Sequence, residues 1–206
     1  GNQCWFAENL RSENYQNGDA IPSNLSDSEW QSMTSGAVAV YGEDDGCDNY
    51  SPNIFACDPI QSLSEYGRLY NWFAVDDPRG LCPSGWHIPT DEEWMIMEMA
   101  LGMSEMELNN EDYRGIQGIQ LKTDYGWHNG GNGTNSSGFT GLPGGIRSST
   151  SGNFVYAGSR GYWWSSTPRE SWAWYRSTIK NSVGVARYSN YLKKNGFSVR
   201  CIQDAE

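Results

Sequence analysis

Hydrophobic and polar positions over the first 120 residues follow the spacing of short helices. Helix starts are marked where a Ser or Thr is followed three residues later by Glu, because the two side chains then cap free backbone N–H groups reciprocally. The three such pairs are Ser26–Glu29, Thr90–Glu93 and Ser104–Glu107. They predict a short helix, a longer main helix through Leu101, and a weaker third one. A second main helix is predicted over residues 66–75, where apolar residues recur at helical spacing: Leu69, Tyr70, Phe73 and Ala74.

Beyond position 120 the pattern changes to short strand-like runs. Residues 126–145 are dense in Gly, Asn, Ser and Thr, which predicts an ordered surface loop that adds little to the core. Runs typical of strands follow, separated by turn residues, at 154–156, 162–165, 172–179, 183–188 and 196–202. Helices first and antiparallel strands later predict an α+β fold.

The composition indicates a core built from aromatic rings. Hydrophobic residues make up only 37% of the 206 residues, yet 10 Trp, 12 Tyr and 6 Phe supply large areas for burial. The 24 Gly and 8 Pro predict many turns and long irregular loops. We find no internal repeat or linker, and this length suits one domain over residues 1–206.

The charge distribution is uneven along the chain. The formal net charge is -11, which argues against nucleic-acid partners and anionic membranes. No run approaches the roughly 18 apolar residues that span a bilayer, so we expect no membrane insertion. Residues 1–146 carry 22 acidic and 5 basic side chains, whereas residues 147–200 carry 9 basic ones and only Glu170. This cationic segment pairs with the acidic half inside one fold or forms an anion-attracting surface; we favour pairing.

The five cysteines favour an oxidising compartment over a metal site. None forms a C-x-x-C pair, and with only two histidines structural zinc is not expected. Cys47 and Cys57 flank a polar loop that a bridge would clip, and Cys82 with Cys201 would tie the middle of the chain to its end. We expect these two disulfides and a leftover Cys4, although spacing alone leaves other pairings open.

Several blocks along the chain together resemble the Fibrobacter succinogenes major paralogous domain. They are WFAENL at 5–10, GDAIP at 18–22, YGRLYNW at 66–72, CPSGWHIPT at 82–90, GF at 138–139, LPGG at 142–145, WWSS at 163–166 and GFSVRC at 196–201. The resemblance implies a C-type lectin-like fold, with a twisted antiparallel sheet, two main helices and long irregular loops. It also implies a secreted, cell-surface or virion-surface domain. The family's short strand ahead of the first block is expected to be absent or truncated.

Related lectin-like domains serve as variable proteins of diversity-generating retroelements, in which the C-terminal strands and loops carry a hypervariable ligand surface. The segment between positions 163 and 201 looks like such a region, and we expect it to bind a protein or glycan ligand in recognition or adhesion. Aromatic rings stack on ligands with little entropy lost, and polar side chains add adaptable hydrogen bonds. The expected ligand-binding residues are Trp172, Trp174, Tyr175, Lys180, Asn181, Ser182, Tyr188, Ser189, Asn190 and Tyr191. Strand alternation should point Trp172, Trp174 and Arg176 to one face and Ala173, Tyr175 and Ser177 to the other.

Signals for catalysis or a cofactor are weak. The acidic residues Glu43, Asp44, Asp45 and Asp48 offer the oxygen ligands that calcium prefers, but they lack the spacing of an EF-hand loop. A solvated acidic turn is therefore favoured over a calcium site. His87 precedes a helix and belongs to no recognisable triad, and no catalytic residue is assigned. Two alternatives to a binding module remain: an oxidase resembling formylglycine-generating enzymes, which rely on reactive cysteines, and a structural spacer of an adhesin.

Overall fold

The computed structural model describes residues 2–44 and 46–205 as a mixed α+β structure with antiparallel sheets. Its helices are α1 Asp27–Ser32, α2 Pro59–Tyr66, α3 Trp72–Val75, α4 Asp91–Ala100, α5 Glu105–Leu108 and α6 Gln117–Leu121, with a 3-10 turn at His128–Gly130. Its strands are β1 Val38–Ala39, β2 Leu69–Tyr70, β3 Trp86–His87, β4 Asp112–Arg114, β5 Gly144–Arg147, β6 Phe154–Ala157, β7 Arg160–Arg169, β8 Trp172–Ile179, β9 Val185–Tyr188 and β10 Ile202–Gln203.

One four-stranded sheet dominates, in the order β4-β9-β8-β7. Its central register places Tyr175 opposite both Trp164 and Tyr188. A bulge between Trp164 and Pro168 bends the long strand β7. Three small sheets, β1-β2, β3-β10 and β5-β6, surround it. The sheet therefore joins β4, which lies in the acidic part of the chain, to the basic C-terminal strands.

The helices predicted from capping boxes are confirmed. In α1 and α4 the Ser26 and Thr90 side chains accept from the backbone N–H groups of Glu29 and Glu93, while the glutamates accept from the cap backbone in return. A capping box at Ser104 likewise opens α5. Three acidic residues in the first turn of α4 also complement the helix dipole.

The helix predicted over residues 66–75 is wrong. The preceding helix α2 ends at Tyr66, and Gly67 then adopts a φ of 73° that interrupts helical geometry. Strand β2 pairs next with β1, and the Asn71 side chain caps the short helix α3 by accepting from Ala74 N–H. The apolar spacing in this segment thus belongs to three short elements, because pairing with a strand some 30 residues earlier in the chain outweighs local propensity.

The core is aromatic, as predicted. Phe197 stacks against Trp164 at a centroid distance of 4.1 Å and against Tyr162 at 5.0 Å. The strand predicted over residues 196–202 is present only in part. Phe197 and Ser198 make isolated bridges to Tyr70 and Trp163, and only β10 is a regular strand there. Successive residues of the segment 196–202 pair with different parts of the chain, so they do not form one continuous ladder of strand hydrogen bonds.

The loop over residues 126–145 contributes more to the core than predicted. Trp127, Phe139 and Leu142 are buried, and the Trp127 ring N–H donates to Thr123 Oγ1 and to the Gly141 carbonyl. The loop also ends in strand, because β5 begins at Gly144. The loop is polar in overall composition, so its composition does not predict that these three apolar side chains pack into the core.

Both predicted disulfides are confirmed. Cys47–Cys57 and Cys82–Cys201 each have a Cα–Cα distance of 5.9 Å, and Cys4 is free and exposed. The Cys82–Cys201 bridge joins the segment that precedes α4 to the residue immediately before β10. Among the described residues, no helix combines the length and the apolar character needed to cross a membrane.

Charge pairing between the two halves of the chain is also confirmed. On the α4 side of the sheet, Arg176 pairs with Asp91 and with Glu98 at 2.6 Å each, and Arg187 pairs with the same Asp91 at 2.6 Å. Glu98 also accepts from Arg114 at 2.8 Å. Burial raises the pKa of Asp91, but the hydrogen bonds and charges of the two arginines outweigh it and leave that pKa below its ordinary value.

Candidate ligand-binding surface

The four-stranded sheet sorts its side chains onto two faces. On β8, Trp174 and Arg176 point toward the face that α4 covers, while Tyr175 and Ser177 point to the other, as strand alternation predicts. Part of this second face is open. It forms a cleft of about 310 Å³, here named the tyrosine cleft, lined by Tyr113, Arg160, Tyr162, Tyr175, Ser177, Tyr188, Asn190 and Tyr191.

The tyrosine cleft is held by packed rings at its base. Tyr191 lies edge-on to Tyr162 and Tyr175, with centroid distances of 6.0 Å and 5.4 Å. Tyr175 is buried, and its hydroxyl donates to Asn190 Oδ1 at 2.9 Å. Burial raises the pKa of both Tyr162 and Tyr175, so these hydroxyls keep their protons and remain hydrogen-bond donors at neutral pH.

At the rim of the cleft the Tyr188 hydroxyl donates to Asp112 Oδ1 at 2.5 Å. Burial and this bond to a carboxylate raise the pKa of Tyr188 to about 12. Across the cleft, the Arg160 guanidinium donates to the Tyr162 hydroxyl at 3.2 Å and lies 4.3 Å from the centroid of the Tyr156 ring. Burial disfavours its charge, but the hydrogen bond and neighbouring tyrosines hold the pKa of Arg160 above its ordinary value.

Two further depressions adjoin the tyrosine cleft. The Lys180 pocket, of about 350 Å³, is lined by Tyr50, Tyr156, Ser159, Arg160, Ile179, Lys180 and Asn181. The Ser148 pocket, of about 330 Å³, is lined by Ile146, Ser148, Ser149, Thr150, Val155, Tyr156, Asn190, Tyr191, Leu192 and Asn195. Arg160, Tyr156, Asn190 and Tyr191 each line two of the three depressions, which therefore adjoin one another. We refer to the three together as the binding face.

Six of the ten sequence-predicted ligand residues line this face. Tyr175, Tyr188, Asn190 and Tyr191 line the tyrosine cleft. Lys180 and Asn181 line the Lys180 pocket. The assignment of these residues as ligand contacts stays a prediction, but the fold brings them to adjoining depressions.

The other four lie elsewhere. Trp174 faces the α4 side, where the Arg187 guanidinium stacks 3.8 Å from its ring centroid. Ser189 is buried and accepts from Arg169 at 2.6 Å. Ser182 sits in the turn after β8, where it accepts from the Gly184 backbone N–H. Trp172 is 38% exposed but lines none of the three depressions.

Several residues of the face are not among the ligand residues predicted from the sequence, chiefly Arg160, Tyr113 and Tyr156. Arg160 lies in the basic segment that had been noted, and its position two residues before Tyr162 on one strand places both on the same face. Tyr113 arrives from the acidic half of the chain, because β4 pairs with β9 and sets Tyr113 opposite Ala186. No pattern in the sequence near Tyr113 predicts the pairing of β4 with β9.

Comparison with known proteins identifies the family. The model of the Fibrobacter succinogenes major domain matches residues 1–203. The chain belongs to this family. No curated protein and no solved structure matches it.

The blocks by which this Fibrobacter succinogenes major domain resembles its family build the scaffold behind the binding face. The block at 82–90 leads into α4 and is tied by its cysteine to the block at 196–201. The block at 163–166 supplies Trp164, whose ring N–H donates to the Tyr70 carbonyl in the block at 66–72. The tyrosines and arginine that line the tyrosine cleft all lie outside these blocks.

His87 of this family member is engaged on both sides of its ring. Its Nδ1 lies 2.6 Å from Asp204 Oδ1, and its Nε2 lies 2.8 Å from Glu93 Oε1. Burial lowers the pKa of His87, but the two carboxylates outweigh it and raise that pKa above its ordinary value. With both nitrogens bound to carboxylates, neither is directed at a substrate, which fits an anchoring role between the chain end and α4.

Two acidic residues of the segment that suggested calcium, Glu43 and Asp44, also have partners within the fold. Glu43 and Asp44 each pair with the buried Arg147 at 2.8 Å, and Glu43 also accepts from the Val40 backbone N–H. Asp45 lies outside the described residues. Within the described residues, no group of three or more His, Cys, Asp or Glu is arranged to hold a metal ion. Two of the carboxylates that suggested calcium, Glu43 and Asp44, neutralise a buried guanidinium.

Proposed function

We propose that this chain is a non-enzymatic recognition domain that holds a glycan or protein ligand on the binding face. The observation that carries the proposal is that three depressions adjoin one another through four shared lining residues, next to the aromatic core. Concave sites that combine aromatic walls with a few convergent polar groups are typical ligand sites. Edge-on packing of Tyr191 against the core rings of Tyr175 and Phe197 means that little side-chain freedom is lost when a ligand binds.

The oxidase alternative depends on reactive cysteines, and the thiols support the binding module instead. Cys82 pairs with Cys201 and Cys47 with Cys57, so Cys4 is the free cysteine. Titration of the unreduced protein with a thiol reagent should give one thiol per chain, whereas two or more reactive thiols would favour the oxidase. The two disulfides also support an oxidising location, and we propose a secreted, cell-surface or virion-surface domain.

We further propose that the face is diversified by a retroelement. Randomising the first two bases of an AAC codon yields Tyr, Ser or Asn, among others. Of the five residues compatible with such a codon, Asn181, Tyr188 and Tyr191 line the face, whereas Ser182 and Ser189 do not. Trp172, Trp174 and Lys180 are not products of such a codon; the two tryptophans line none of the three depressions, whereas Lys180 lines one of them. Sequencing of sibling clones should find substitutions concentrated at face positions; substitutions spread evenly along the chain would refute diversification while leaving the binding role open.

Arrays of glycans and of cell-surface proteins test the binding role. Tyr191→Ala should weaken binding at least tenfold, because it removes the ring shared by two depressions. Asn181→Ala, at an exposed position in the Lys180 pocket, provides a second variant that does not disturb core packing. Tyr125→Ala is the matched control, since Tyr125 is 44% exposed and lines none of the three depressions. Silence of the wild-type protein on both arrays would favour the spacer of an adhesin.

A further inference from the structure

Arg160 differs from the other arginines in its partners. Throughout residues 2–44 and 46–205 the other arginines pair with a carboxylate, except the buried Arg200, which donates to Asn9 Oδ1 and to backbone carbonyls. Arg160 has no carboxylate partner there and donates to the Tyr162 hydroxyl. A guanidinium has five N–H groups, so most of those on Arg160 are left for a ligand.

The charge of the binding face is opposite to that of the whole chain. The formal net charge is -11, yet none of the side chains lining the three depressions is acidic, and two of them, Arg160 and Lys180, are basic. Asp112, a carboxylate at the rim, accepts from the Tyr188 hydroxyl. A chain this rich in carboxylates that keeps them off one concave surface is suited there to an anionic ligand.

The shape of the face favours a chain of small units over a protein surface. Its three depressions have nearly equal volumes of about 310, 350 and 330 Å³, at the lower end of the range of about 300–1000 Å³ for small-molecule sites. They adjoin one another, as successive rings of an oligosaccharide require. The tyrosine rings offer stacking surfaces for such rings, and the hydroxyl and amide groups offer hydrogen bonds to sugar hydroxyls.

We propose that the binding face takes an acidic oligosaccharide whose carboxylate or sulfate group pairs with Arg160. The inference rests on the proposed binding function and names its ligand class. The Tyr156 ring under the guanidinium and the Tyr162 hydroxyl beside it fix the orientation of Arg160 before a ligand arrives. A planar guanidinium held in this way binds an acid group through two parallel N–H bonds. Lys180 adds a second positive charge in the adjoining pocket.

The test uses the full chain on an array of matched oligosaccharides: oligogalacturonides, the same oligomers after carboxyl reduction, sulfated galactan oligomers and their desulfated forms. We expect an acidic form to bind at least tenfold more tightly than its neutral counterpart, and the pair that shows the difference identifies the acid group. Binding should weaken as salt is raised. Arg160→Gln should remove at least tenfold in affinity, and Arg160→Lys should recover only part of it. Arg11→Gln, an exposed arginine that lines none of the three depressions, is the charge-matched control.

The outcomes separate this inference from the proposed function. Equal binding of acidic and neutral forms, or full affinity in Arg160→Gln, would overturn the acidic-glycan inference, while loss of binding in Tyr191→Ala would still support recognition on the face. Binding to arrayed proteins alone would likewise overturn it and keep the recognition role. Silence on glycans and proteins alike would overturn both. Near-UV circular dichroism of each variant confirms that the aromatic core is unchanged.

Discussion

Removing the charge of Glu98 is the sharpest test of what holds α4 against the sheet. The Glu98 side chain is fully buried, and it accepts from Arg114 at 2.8 Å and from Arg176 at 2.6 Å. Both guanidiniums are themselves buried. Glu98→Gln keeps the shape of the side chain, but it removes the negative charge and turns one acceptor into a donor facing a guanidinium.

The expected loss of stability is large because Arg114 would keep no other carboxylate partner among the described residues, while Arg176 would keep Asp91. Breaking a buried ion pair from one side costs about 3–5 kcal/mol, since the remaining charge stays buried. The Asp91 contact should place the loss toward the lower end of this range. For a chain of this size, each kcal/mol corresponds to about 2–4 °C in Tm, which gives a fall of roughly 6–20 °C.

Urea and thermal unfolding followed by near-UV circular dichroism, with both disulfides intact, measure this loss. Glu92→Gln is the matched control, because Glu92 lies on the same helix but is exposed, and it should change stability by less than about 0.5 kcal/mol. A Glu98→Gln variant within about 1 kcal/mol of the wild type would refute the reasoning. It would mean that the aromatic packing alone fixes α4 on the sheet.

Two further predictions concern the edges of the fold. The raised pKa of His87 means that its pairing stabilises the fold below the unfolded pKa of about 6.5 and that this contribution is lost as pH rises through the folded pKa. His87→Gln should therefore lower the free energy of unfolding in urea at pH 6, by less than about 1 kcal/mol for this part-exposed pair, and not at pH 9; an equal effect at both pH values would contradict the assignment. Replacing the Cys82–Cys201 bridge by two alanines should cost about 2 kcal/mol more than replacing Cys47–Cys57, because it closes a loop of 119 residues against 10. Urea unfolding compares the two variants, and equal losses would argue against the loop-entropy explanation.

The helices that were predicted correctly are those whose signal is local. A capping box joins a side chain to the backbone three residues away. The pairs that begin at Ser26, Thr90 and Ser104 therefore mark a helix start without any contact to distant parts of the chain. The failed helix over residues 66–75 shows the opposite case. There the structure is decided by the positive φ of Gly67 and by the pairing of β2 with β1. The spacing of the apolar residues predicts neither of them.

The candidate site was predictable where strand alternation could be applied and not where distant strands had to meet. Alternation along β8 separates Tyr175 from Trp174, but only the position of α4 shows which of the two faces a ligand can reach. Trp174 was chosen for its ring and lies under Arg187. Tyr113 could not be chosen, since its place in the cleft follows from the β4-β9 pairing across more than 70 residues.

The cationic C-terminal segment had two explanations, and strand alternation divides its residues between them. Arg176 and Arg187 point to the α4 side, where Asp91 and Glu98 neutralise them; for these residues the pairing explanation is confirmed. Arg160 lies on the same face as Tyr162, opposite to α4, where no lining residue is acidic. Because a count of charges along the chain adds both groups together, it cannot distinguish a guanidinium that stabilises the fold from one left for a ligand. The distinction rests on which face each strand position occupies, and it makes Arg160, not the segment as a whole, the residue on which the acidic-glycan proposal stands or falls.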